Sequence, residues 1–397
     1  MTLSRREFLT LLGGTALLAP GVHASAFPLR GTYALAGVVH PGRGAPMPGH
    51  AVLVRAGRIE GVVPAKTVAD RPILAPENVS ILPGVINAHC HTLHSARERR
   101  ERWLLCGVTS IGDAASPLDA LPALLDSPPG TTATASTCGP MLCPPGGYPL
   151  PIHSPKHGMV AATPRQGADA VKRLADLGVT RIKIAFEPGV MPEPWPLFDP
   201  ATAAAICDEA HRLGLGVRCH VEDLSGLGPA LDAGVSVIEH VPHRWNDRGR
   251  IRSVLTPDDA PAPYYLGLLE RMVRDGVTMT PTLDVFTRTP WNGPALFEPV
   301  RAFHAMGGRI ALGNDFPYRR TEAGMPVREM RLLARAGLDK AAVLEAATVS
   351  AAEVCGFTDR GVIAPGMAAD LLMVRGEPGP DALKDPLHIV KEGVFIR

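Results

Sequence analysis

Two rhythms of apolar residues alternate along most of the chain. Short β-prone runs of four to six residues are followed by longer stretches in which apolar side chains recur every three to four positions, and most of these stretches stop at a glycine. Strands are predicted at 107–111, 131–136, 179–184, 215–220, 235–240, 277–280 and 309–315. Helices are predicted at 166–177, 201–213, 227–233, 264–274 and 297–306. The apolar run around Val85 and Ile86, entered through Pro83-Gly84, supplies one more strand ahead of these. Strands regularly followed by helices imply a parallel sheet, and eight such strands predict a closed (β/α)8 TIM barrel. The ends of the chain read differently. Ala51–Val54, a turn at 55–57 and Ile59–Val63 form a hairpin pattern, and 370–374 and 389–396 are again β-prone. The chain is therefore expected to be α/β, with a barrel over 83–355. A small β-sandwich domain would be built from both termini, 27–82 and 356–397.

Composition narrows the function. The 397 residues are 46% hydrophobic, enough for a large core. Lys+Arg 40 against Asp+Glu 39 leaves a net charge of +1, so no basic surplus points to nucleic acid. Residues 1–26 read as a twin-arginine signal peptide: Arg5-Arg6, an apolar run from Phe8 to Ala19, then small residues at Ala24-Ser25-Ala26. That run is shorter than the ~20 residues a membrane span requires. The expected partner of the precursor is the twin-arginine export machinery, and the expected location is the periplasm or outside the cell, with no membrane span in the mature chain. The Cys count is 7 and no C-x-x-C pattern occurs, so a cysteine zinc site is not expected. Cys138 and Cys143 lie close together in a Gly/Pro-rich loop, and whether they pair is left open, as is a homo-oligomeric state.

Chemistry gathers at the strand ends. His89 and His91 are two apart, so in a strand both point to one face while Cys90 points to the other. The strand after Gly178 carries Lys183, the next ends in His220, the next in His240, and the last in Asp315. Taken singly, each has an ordinary reading: a core histidine, a lysine reaching solvent, a turn aspartate. In a barrel they all fall at the C-terminal mouth, where active sites form. Lys183 lies between Ile182 and Ile184 in a strand covered on both faces. A buried ammonium is costly and tends to lose its proton. A neutral amine can add carbon dioxide, and the resulting carbamate can bridge two cations.

The ordered set Pro83–His91, Gly107–Ser110, Ile182-Lys183-Ile184, Cys219–Glu222, Ile238-Glu239-His240, Leu312–Asp315 and Gly366–Leu371 resembles the amidohydrolase superfamily, in its imidazolonepropionase-like and dipeptidase-like branch. The resemblance implies two divalent metal ions, Zn2+ being the first choice for imidazole and carboxylate ligands. His89, His91 and Asp315 would hold the more buried ion, His220 and His240 the second, and a carboxylated Lys183 would bridge them. A hydroxide shared by the ions would attack a carbonyl, with Asp315 as the catalytic proton carrier. Tyr148, His153, His243, Arg244 and Tyr318 are candidates for substrate contact, Tyr148 as an oxyanion donor. The expected activity is hydrolysis of a C–N (amide) bond in a small substrate: a dipeptide, an N-acyl amino acid or a cyclic amide. Two alternatives accompany it. One is a mononuclear deaminase or imidazolonepropionase-type ring opener, which would want H-x-x-E where this chain has His220-Val221-Glu222-Asp223. The other is a catalytically silent binding protein on the same fold.

Overall fold

A computed structural model describes residues 31–92, 96–190, 193–247, 249–289 and 293–397. The signal segment lies outside these residues. The body of the chain is mixed α/β, with parallel strands alternating with helices as the sequence pattern predicts. The expected helices at 166–177, 201–213 and 264–274 form as Pro164–Asp176, Pro200–Arg212 and Pro263–Arg274. Their starts are set locally. The Thr163 and Asp199 side chains accept backbone N–H bonds from Gln166 and Thr202, and a proline opens each helix, where its missing N–H is not needed.

The parallel strands do not form one uninterrupted ladder. Val85–Cys90, Val108–Asp113 and Thr134–Thr137 make a three-stranded sheet. Arg181–Ala185, Gly216–His220, Val237–Glu239 and Thr278–Thr280 make a four-stranded one. Single backbone bonds join them: Thr180 N–H donates to the Thr137 carbonyl at 3.0 Å. The strand expected at 309–315 is reduced to an isolated parallel bridge between Ile310 and Met279. It still touches both neighbours, because Met279 N–H donates to Arg309 O at 3.0 Å and Ala88 N–H donates to Leu312 O at 2.8 Å. At its far end Asp315 leaves extended backbone for a left-handed φ of 55°.

The chain ends come together, and their strands are hydrogen-bonded as one eight-stranded mixed sheet. Val79–Pro83 sits in its middle, between Thr32–Val39 and Leu371–Arg375. Alternation decides what each face covers: Leu82, Leu372, Val374 and Ile389 join the core of the α/β body, whereas Ile81, Leu371, Met373 and Val390 pack into the sheet's own core. The expected hairpin is present as Met47–Arg55 and Arg58–Pro64, turning at Ala56 (φ 48°) and Gly57 (φ 81°), the left-handed pair a two-residue hairpin demands. Cys138 and Cys143 are buried free thiols.

Candidate metal and active site

One strand end and the loop that follows the Ile310 bridge bring His89, His91 and Asp315 together. Their ring and carboxylate atoms converge: His89 Nε2 and His91 Nε2 lie 3.4 and 3.3 Å from Asp315 Oδ1. The second group is His220, His240 and Glu222, again with one ligand atom from each within 4.8 Å of the others. Lys183 is 1% exposed and stands in register with Arg218 on the next strand, two residues before His220. Its Nζ has no hydrogen-bond partner, and neither do His220 Nε2 or Asp315 Oδ1.

The imidazoles are held from behind. His89 Nδ1 meets Glu239 Oε2 at 2.5 Å, His91 Nδ1 meets the Ala115 carbonyl at 3.0 Å, and His240 Nδ1 meets Thr282 Oγ1 at 2.7 Å. An Nδ1 engaged in this way fixes the ring and leaves Nε2 facing the cluster. Glu239 in turn accepts Arg218 Nε at 2.5 Å, and Arg218 also donates to the Ala88 carbonyl at 2.6 Å. Arg218 and Glu239 have no exposure at all. His240, Thr282 and Asp315 all have positive φ, 72°, 51° and 55°. Such backbone costs about 1–3 kcal/mol per residue and is held in place here by its surroundings. Asn87 and Asn314 tie the first and last strands together: Asn87 Nδ2 donates to Asn314 Oδ1 at 2.8 Å, and Asn314 N–H donates to Asn87 Oδ1 at 3.3 Å.

Gly313 permits that closeness. A Cβ there would lie 2.5 Å from His89 Cβ and 2.9 Å from His89 N. Gly313→Ala must therefore push His89 away from Asp315. The expected loss is about 1–3 kcal/mol of stability, as for other overpacked sites, together with weakened metal binding. A melting curve and a zinc titration check both; wild-type values in the two measurements would refute this account.

Burial governs the charges. It pushes the Asp315 carboxyl up, but the His89 and His91 rings more than offset this and hold it well below the usual range, as an anion. Burial lowers His220 and His240 far below the ordinary imidazole value, with neighbouring His240 and His89 respectively adding to the effect, so both are neutral rings with a lone pair to offer. Burial also lowers Lys183, only partly opposed by Glu239.

The residues expected at the substrate divide in two. Tyr148 stacks on His220 with ring centres 4.3 Å apart, and Tyr318 packs edge-on to His91 at 5.2 Å. His153 stands between them, its Nε2 3.3 Å from Tyr148 Oη and its Nδ1 3.5 Å from Tyr318 Oη. These three therefore span from one His group to the other. His243 is buried, with Nδ1 on the Val241 carbonyl and its ring against Phe286. Arg244 is paired with Glu187 at 2.9 Å and Glu222 at 3.1 Å. Glu222, Glu187, Arg218, Glu239 and Thr282 were not assigned roles from the sequence. Glu222 carries a readable signal: it follows His220 by two, the spacing that makes His91 follow His89. Cys90 is buried in the core, its Sγ toward the Gly112 carbonyl at 3.5 Å.

Residues 107–394 match the amidohydrolase family, which takes in well over half of the chain. The chain belongs to the amidohydrolase family. It is a hydrolase acting on C–N bonds, in a family that generally uses divalent metal ions, and its His and carboxylate groups are of the kind that hold them. The family match begins after His89 and His91, so those two rest on geometry alone. Among solved structures, this amidohydrolase is similar to an Xaa-Pro dipeptidase with methionine bound in its active site, at a TM-score of 0.72 and 18% identity, covering 92% of this chain and 99% of that one. It is similar to A. niger ochratoxinase at a TM-score of 0.73 and 18% identity, covering 92% and 96%. Molinate hydrolase gives a TM-score of 0.71 at 18% identity, covering 92% and 94%. These likenesses are of fold. No curated protein matches this amidohydrolase in sequence. Among the described residues, no helix is long and apolar enough to cross a membrane.

Proposed function

We propose that the chain is a binuclear, metal-dependent amidohydrolase of small amide substrates, with the parallel strands read as a (β/α)8 barrel and the site at its C-terminal mouth. The observation that carries this is the convergence of unpartnered, buried ligand atoms on one place: Asp315 Oδ1, His220 Nε2 and Lys183 Nζ. Native interiors rarely leave such atoms unsatisfied, so a missing bound group is the economical explanation. His89, His91 and Asp315 would hold one divalent ion, His220 and His240 the other, with zinc the best match to these donors. Lys183, whose burial disfavours the protonated form, would add carbon dioxide at Nζ as a free amine, release a proton and present a carbamate between the two groups. Ions bound there would acidify a water and polarise the substrate carbonyl.

The remaining chemistry belongs to the side chains. Asp315, kept ionised, takes the proton from the water as it adds to the carbonyl carbon. It returns that proton to the leaving nitrogen as the C–N bond breaks. Glu239 and Arg218 hold the His89 ring throughout. Tyr148, stacked on His220, would offer its hydroxyl to the carbonyl oxygen as that oxygen gains charge. A neutral His153 has one donor and one acceptor, so it engages the two phenols in opposite senses and leaves only one of them a proton to offer.

A dipeptide, an N-acyl amino acid or a cyclic amide is the substrate class favoured. The mononuclear deaminase reading is less well supported, because Asp223 is already committed. Its carboxylate accepts the Ser225 and Asn246 N–H groups as a helix cap, so it is not available as a proton shuttle. The test is a hydrolysis screen of dipeptides, N-acyl amino acids and lactams with zinc-loaded protein, beside purine and pyrimidine deamination. Deamination without amide hydrolysis would reverse the assignment. Within the active series, Tyr148→Phe is expected to lower kcat by about 10²–10³-fold, as removal of one oxyanion donor does, with metal content unchanged. An unchanged kcat would remove Tyr148 from the reaction.

A further inference from the structure

Glu222 is left unused by the reading above, yet it sits among the ligands. Its Oε1 is 3.5 Å from His220 Nε2, a buried nitrogen with no hydrogen-bond partner. The ligand atoms of His220, Glu222 and His240 all lie within 4.8 Å of one another. His240 has Nδ1 occupied by Thr282, so its other nitrogen is the one available to this group. Residue 222 lies two beyond the strand Gly216–His220, and its placement is set by its own contacts: its N–H donates to Glu187 Oε2 and its carboxylate accepts from Arg244.

The charge around Glu222 is unbalanced. Arg244 Nη2 is shared between Glu222 Oε2 at 3.1 Å and Glu187 Oε1 at 2.9 Å. Glu187, 2% exposed, is fixed further by the backbone N–H groups of Gly189 and Glu222, at 2.8 and 3.1 Å. Two carboxylates thus compete for one guanidinium in a largely buried place, with Arg319 the next positive charge to act on Glu222, so a further cation beside Glu222 is favourable. Two imidazole nitrogens and a carboxylate oxygen also form a known three-ligand set for zinc that keeps one position open.

We infer that Glu222 is a direct ligand of the second divalent ion, together with His220 and His240, and that Arg244 and Glu187 aim its carboxylate. This rests on the two-ion reading above. It adds a ligand that the family resemblance does not supply, and it gives the second ion a protein anchor independent of Lys183.

The test is a zinc titration of metal-stripped full-length protein against a competing chelator, with metal counted by elemental analysis and Co2+ substitution followed by absorption. Wild type should take two ions. Glu222→Gln should keep the first at wild-type affinity and weaken the second by more than the roughly 10–100-fold that loss of an outer-shell partner produces, with altered Co2+ bands. Glu222→Asp, which keeps the carboxylate, should recover part of the loss. Metal-free Glu222→Gln should melt no lower than metal-free wild type, since it removes an unbalanced charge. Two ions in wild type with an unchanged second affinity and spectrum in Glu222→Gln would overturn the role of Glu222 alone. A wild type that takes a single ion would overturn the two-ion reading and this inference with it.

Discussion

Lys183→Ala is expected to lower kcat/KM by on the order of 10³-fold or more, the equivalent of losing several kcal/mol of transition-state stabilisation at the metal centre. The reasoning begins with burial. Lys183 is 1% exposed, its Nζ has no hydrogen-bond partner, and burial lowers its affinity for a proton. A lysine kept in this state is a poor structural residue and a good nucleophile toward carbon dioxide. The same facts set the expected sign on stability. Lys183→Met fills the space with apolar atoms and removes an unsatisfied amine, so the metal-free variant should melt at or above the wild-type temperature. Activity should fall while metal-free stability holds, a division that a residue serving only the fold would not produce. Metal affinity should fall as well, and reconstitution of wild type should be faster with bicarbonate present. Full activity and an unaltered zinc titration in Lys183→Ala would end the carbamate proposal.

The second large effect is on the fold. Glu239→Gln should destabilise the protein by about 3–5 kcal/mol, the usual result of breaking a buried ion pair from one side. Glu239 joins Arg218 Nε and His89 Nδ1, both at 2.5 Å, in a place without solvent exposure. A glutamine has one acceptor oxygen for two donors, and it leaves the Arg218 charge uncompensated. Zinc affinity should drop about 10–100-fold at the same time, because the His89 ring loses its anchor. The double variant Arg218→Met with Glu239→Leu separates the two roles. Replacing the whole pair with apolar side chains should restore most of the stability, whereas the weakened zinc binding should persist. If the double variant recovered both, Glu239 would be a packing residue with no part in orienting His89.

How much of this was legible beforehand differs from residue to residue. The helix starts at Thr163 and Asp199 were local facts, set by a capping side chain and a following proline, and the sequence shows both. The strand-end histidines, Lys183 and Asp315 could be named from periodicity, since each closes or occupies an apolar run. The β-prone runs at the termini predict strands, but not their order in one hydrogen-bonded sheet nor that one sheet face is covered by the α/β body. The last strand is reduced to a bridge at Ile310, and the left-handed turn at Asp315 was not legible, because nothing in Leu312-Gly313-Asn314-Asp315 requires a particular φ. Glu222 was missed for another reason. It sits beyond the strand end, where an acidic residue is ordinarily solvated, and only the Arg244–Glu187 pair shows that it is held inward.

Sequence by itself determined the rhythm of strand and helix, the residues able to bind metal, and the anomaly of a lysine among isoleucines. These depend on neighbours within a few positions, and the chain carries that information directly. Tertiary structure decided which of those residues meet. The Asn87–Asn314 link and the Gly313–His89 approach bring residues more than two hundred positions apart into contact. The buried Arg218–Glu239–His89 chain could be recognised only once two neighbouring strands of one sheet met a strand of another, because ion pairing and burial are properties of the space between elements.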